Sequence, residues 1–101
     1  MRSIAHIIPA RAGFAQTTAA MNTGSTIIIA ANSSRVYLLI QNISDVDIYI
    51  NVAGAAAATT TGILIAANGG YYETPGGVTT TTAVYGITSS GSSKTVVVLE
   101  G

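Results

Sequence analysis

The chain has no cysteine. That excludes disulfides, thiolate metal sites and cysteine nucleophiles. A small domain without such staples commonly gains stability by assembling with copies of itself. Charge is almost as scarce. Four Lys and Arg against four Asp and Glu make up 8% of 101 residues and sum to zero, where an ordinary soluble domain carries roughly 25%. So few basic groups cannot track a phosphate backbone, which argues against nucleic acid as a partner. So few titratable groups also leave little for acid–base chemistry. No apolar run approaches the ~18 residues of a membrane-spanning helix. Pro9 and Arg11 interrupt the faintly signal-like stretch from Met1 to Ala20, so the reading is neither membrane insertion nor secretion.

What is present is a hydroxyl-rich, amide-rich exterior of Thr, Ser and Asn around Ile, Val, Leu and Tyr. Near-neutral surfaces of this kind favour association, and the apolar set favours β structure. The length suits one domain. Residues 1–24 read as an extended N-terminal arm and residues 25–101 as the folded unit. Within the arm, Ile4, Ile7, Ile8 and Phe14 are four large apolar side chains, many for a tail left in water. Two readings stand side by side: a frayed terminus, or an arm whose Ile and Phe side chains dock on a neighbouring subunit.

From Ser25 the pattern is β. Ser25–Ala30 is a β-branched run. Arg35–Asn42 places Val36, Leu38 and Ile40 on one face and Tyr37 and Leu39 on the other. Ile48, Ile50 and Val52 alternate with Tyr49 and Asn51, and Ser44 and Asp45 between the runs suggest a hairpin about Ile43–Val46. Gly54–Thr61 lacks bulky side chains and reads as a flexible surface loop. Gly62–Ala66 is a further strand. Asn68-Gly69-Gly70 is a turn whose residues accept positive φ. Tyr71–Glu73, Val78–Thr82, Ala83–Thr88 and Lys94–Glu100 complete the set, with Gly86 marking a bulge. Roughly seven or eight short strands separated by turn residues indicate an all-β fold, a small antiparallel β-sandwich or jelly-roll-like barrel.

Residues with chemical potential are few. His6 is the only histidine, with no acid near it in sequence to orient it. Asp45 and Asp47 fall in a turn and are too few oxygens for a calcium loop; Asp45 suits a side-chain-to-backbone turn bond instead. Glu73 and Glu100 are lone acids at strand ends, with Glu73 suited to pair with Arg35 or Lys94. No Ser lies in a G-x-S-x-G elbow, and the paired glycines lie between strands, where turns account for them. No enzyme activity, cofactor or metal is expected. The five Tyr fall in strands or at their ends. Tyr71 and Tyr72 are adjacent and so face opposite ways in a strand: one of the two suits the core and the other suits an interface, where tyrosine is enriched.

Three segments carry a resemblance. Arg35–Asn51 (RVYLLIQNISDVDIYIN) resembles an R-x-x-L-x-I-x-N-x-S-D-x-x-I-Y-V strand pair. Gly62–Glu73 (GILIAANGGYYE) resembles a G-I-x-L-x-x-G-G-x-Y-E hairpin. Val84-Tyr-Gly-Ile together with Val96–Glu100 fits the ending. Together they are similar to small virion proteins of tailed bacteriophages, over about two-thirds of the chain. The resemblance implies a non-enzymatic structural protein of the capsid decoration, or cement, type. Such a protein is made in the host cytoplasm, sits on the capsid surface, and bridges joints between copies of the major capsid protein, here as a homotrimer. Other roles within that group are tail, neck and fibre components. A different class is a carbohydrate- or receptor-binding module stacking its ligand on Tyr71, Tyr72 or Tyr85.

Overall fold

The computed structural model describes residues 14–74 and 79–101. Eight strands follow in order: β1 (Ala15–Met21), β2 (Thr26–Ile29), β3 (Leu38–Asn42), β4 (Ile48–Asn51), β5 (Ile63–Ile65), β6 (Tyr71–Glu73), β7 (Val84–Thr88) and β8 (Lys94–Glu100). They form two four-stranded sheets, ordered β1-β8-β3-β6 and β2-β7-β4-β5. Every pairing is antiparallel. The chain changes sheet at almost every connection, and only β4 and β5 are sequential neighbours that pair. This is the two-sheet jelly roll, within the β-sandwich class expected from sequence.

The core fills the space between the sheets. Leu38 and Ile40 of β3 and Val96 and Val98 of β8 meet Ile48 and Ile50 of β4, Ile65 of β5 and Val84 of β7, joined by Met21 and Ile28. Period-two alternation puts these residues on the inner faces. At Gly86 of β7 the inner face has no room for a side chain: a Cβ there would lie 2.5 Å from Met21 Sδ and 2.8 Å from Ile28 Cδ1. The bulge expected at this glycine lies instead on the paired strand, where register slips between Ile27 and Ile29.

Several other expectations change. The 1–24 arm is too long, because Ala15–Met21 pairs residue for residue with β8 and Met21 is fully buried. Small Ala and Thr side chains hide the strand from a hydrophobicity reading, and the long partner strand supplies its hydrogen bonds. The hairpin about Ile43–Val46 does not form, since β3 and β4 lie in different sheets. Both flanks of β3 are taken, by β8 and β6, so the chain must leave the sheet after Asn42. The Gly62–Glu73 hairpin divides in the same way, with β5 in one sheet and β6 in the other. Its turn is as read: Asn68 (φ 61°) and Gly69 (φ 114°) both adopt positive φ. Gly54–Thr61 forms no strand, but it is pinned where the Ala57 N–H donates to Ser25 Oγ at 2.9 Å. Thr79–Thr82 is not a strand either, because its carbonyls and hydroxyls are drawn inward as described next. The remaining residue of that expected strand, Val78, lies outside the described residues.

Candidate functional site

The inward pull comes from Arg35. The N–H groups of Val36 and Tyr37 both donate to the Gly101 carbonyl, at 2.9 and 3.0 Å. Two residues opposite one make a β-bulge. The extra residue turns Val36 outward, 56% exposed instead of facing the core, and sends Arg35 inward. The Arg35 guanidinium is fully buried. Nε donates to Glu100 at 2.7 Å, Nη1 to the Thr80 and Thr82 carbonyls at 2.8 and 3.0 Å, and Nη2 to the Ala30 carbonyl at 2.7 Å. Asn32 Nδ2 adds a bond to the same carboxylate at 3.2 Å. One side chain thereby ties two loops, its own β2–β3 connection and the β6–β7 connection, to the end of β8. Thr80 and Thr82 hydroxyls both donate to the Val52 carbonyl, which completes the inward set.

The other charges are also engaged. Lys94 Nζ lies 2.8 Å from Asp45 Oδ1, and the Asp45 carboxylate also bonds its own backbone, the turn bond expected from sequence. These bonds, first the one from Lys94, hold the Asp45 carboxyl below its ordinary range. Asp47 Oδ1 accepts the Ala67 N–H at 2.9 Å. Glu73 accepts the Tyr37 hydroxyl at 2.6 Å, not Arg35 or Lys94. Each of Arg35, Asp45, Asp47, Glu73, Lys94 and Glu100 therefore has a partner inside the protein. Among the described residues, no three His, Cys, Asp or Glu gather as a metal site, and no helix is long and apolar enough to cross a membrane.

The Tyr37 phenol is pushed above its usual value by its hydrogen bond to Glu73, then by burial, then by that carboxylate's charge. A raised folded-state value stabilises the fold fully below the unfolded tyrosine value of about 10, and the contribution is lost as pH rises through the folded value. In Glu73→Gln, Tyr37 should titrate at lower pH, followed through its ring NMR signals. An unmoved titration would refute the assignment.

With the charges accounted for, the outer faces stand out. On the β2-β7-β4-β5 sheet, alternation turns Tyr49, Asn51, Tyr85 and Ile87 outward. Register sets Leu64 and Ile87 beside Tyr49, and Ile27 and Asn51 beside Tyr85. This face carries no charged side chain, and Ile27 and Leu64 are 46% and 53% exposed. Sequence reasoning did not single out this face. The unbroken apolar runs TIII and ILI give no alternation to say which side is wet.

The opposite outer face pairs Leu99 with Leu39 and Gln16, and Val97 with Gln41 and Thr18. Tyr71 stands at its edge, 63% exposed, over a shallow open hollow lined by Leu39, Gln41, Tyr71 and Glu73. Of the six residues expected at an interface, Tyr71 is thus at the surface, while Tyr72 packs against the core. Phe14 is half-exposed and stacks on Tyr37, with ring centroids 5.7 Å apart. Ile4, Ile7 and Ile8 lie outside the described residues, as does His6. No family model matches the chain, and no curated protein or solved structure matches it either.

Proposed function

We propose that this is a non-enzymatic structural protein of a tailed-phage virion, a decoration protein that binds across joints between major capsid subunits and stabilises the head. One observation supports this above the others. Every described charged side chain has an ion-pair or hydrogen-bond partner within the fold, and the outer face of β2-β7-β4-β5 presents an uncharged aromatic and aliphatic strip. Apolar and tyrosine-rich surface of this kind is what protein partners cover, and contacts made by it are far less salt-sensitive than ion pairs. The jelly roll serves both viral capsid and lectin domains, so the surface rather than the fold favours the reading. Stabilisation follows mass action: a protein that binds only the assembled shell raises the shell's stability. Many copies on one lattice add through effective concentration.

The test mixes the purified protein with expanded heads of the phage that encodes it and measures their resistance to heat. Bound protein should raise it, and Leu64→Glu or Ile27→Lys should weaken head binding by at least about tenfold while leaving the fold intact. No gain in head stability would sink the proposal. A second reading, a carbohydrate-binding module, is favoured by the hollow beside Tyr71, where a sugar ring would stack with Gln41 and Glu73 in reach. A signal on a glycan array that is lost in Tyr71→Ala, with no binding to heads, would select it.

A further inference from the structure

The four sheet edges are unequal. β5 and β6 have three residues each, and β2 is short and bulged. Shortness and bulges are the ordinary means by which an edge is kept from pairing with another chain. β1 has neither. It runs seven residues, AQTTAAM, without proline, charge or register shift. Residues Ala15–Thr18 are all exposed.

The direction of its free hydrogen-bonding groups can be read from the ladder. Tyr37 and Gly101 exchange both of their N–H···O bonds, at 3.0 and 3.1 Å. In an antiparallel ladder such pairs alternate, so on β8 it is Leu99 and Val97 that point to β3, and Val98 and Val96 that point to β1. Through the register, Thr17 and Ala19 of β1 are bonded to β8. The N–H and C=O groups of Gln16, Thr18 and Ala20 therefore face away from the sheet, with no partner among the described residues.

We propose that β1 pairs with β1 of a second copy of this chain, antiparallel about a twofold axis at Thr18, joining two sheets into one. Three observations select this occupant. Full overlap of two seven-residue edges sets Thr18 against the partner's Thr18, and Gln16 against the partner's Ala20. All of these are residues whose groups face outward, so every free donor and acceptor on the strand is used. No other edge of the described chain is long enough to match β1, which makes the contact isologous, the same patch on both copies. The edge is uncharged and its side chains are small, so two copies approach without repulsion, and opposed threonines are a favourable cross-strand pair. A twofold contact replaces the trimer expected from sequence. It holds whether or not the protein decorates a capsid.

The full chain should sediment as a dimer, and its Gln16, Thr18 and Ala20 amides should resist hydrogen exchange as Thr17 and Ala19 do. Thr18→Pro removes only an outward N–H, and proline is tolerated where a strand's N–H faces away from the sheet. Thr18→Lys opposes two like charges across the axis. Each should raise the dimer dissociation constant by at least about tenfold, with circular dichroism unchanged. A monomeric or trimeric wild type overturns the proposal. So does rapid exchange at Thr18, or a dimer that withstands both substitutions.

Discussion

Replacing Arg35 with methionine should destabilise the domain by about 3–5 kcal/mol, the range for removing one partner from a buried ion pair. The side chain is wholly inside and donates to one carboxylate and three carbonyls. Methionine fills similar space but leaves the Glu100 charge, which is only 17% exposed, and the carbonyls of Ala30, Thr80 and Thr82 without their donor. Against the 5–15 kcal/mol typical of a whole domain, that is a large share. Arg35→Lys keeps the charge but loses the planar fork that reaches both loops and β8 at once, so it should recover only part of the loss. Urea unfolding monitors both variants through the midpoint, with the slope unchanged. A midpoint close to wild type in Arg35→Met would show that the loops close without the guanidinium.

The second large effect is expected at Asn42, fully buried at the end of β3. Its Nδ2 donates to the Val46 carbonyl at 2.8 Å and to the Ile65 carbonyl at 3.0 Å. Its Oδ1 accepts from Ser44 N at 2.9 Å and Ser44 Oγ at 2.7 Å. Ile65 belongs to the other sheet, so this amide stitches the two layers together and shapes the turn by which the chain leaves β3. The backbone of Asn42 adds to the joint, accepting from Gly69 N at 2.7 Å and donating to the Gly70 carbonyl at 2.8 Å. Asn42→Leu has nearly the right volume and none of the side-chain bonds. Leaving buried groups unsatisfied costs about 1–3 kcal/mol for each, and a loss of about 2–4 kcal/mol is expected by thermal or urea unfolding. A loss below about 1 kcal/mol would mean that the turn relaxes to let water in.

These two residues also mark where sequence reading stopped. Strands with clear alternation were legible: Lys94–Glu100 forms as read, and Ile48 and Ile50 point inward between Tyr49 and Asn51. The turn at Asn68 and Gly69 was legible because few residues accept its backbone angles. The opposite fates of Tyr71 and Tyr72 followed from strand geometry alone. Sheet membership was not legible, since a hairpin and a crossover between sheets share the same turn residues. The choice depends on which flanks of β3 are already filled. The burial of Arg35 is not legible in sequence, because arginine is usually a surface residue. Its burial arises from a bulge against Gly101, a residue far away in sequence. Thr79–Thr82 has strand-forming residues, but the guanidinium claims the carbonyls that a ladder would need. The outward-facing Ile27 and Leu64 sit in runs apolar on both sides, where only the finished sandwich decides which side stays open.

The pairing of β1 with β8 has a consequence for synthesis. Ala15 lies opposite Glu100 and Met21 opposite Lys94, so β1 waits for its partner through the synthesis of the six strands between them. Closing so wide a loop before any reward is what makes non-local β topologies slow to fold. Until β8 emerges, the inner faces of β3 and β4 have no complete shelter, and the nascent polypeptide is most prone to aggregate in that interval. The sheet that β1 borders therefore closes in a single late step, once β8 has been made, rather than strand by strand.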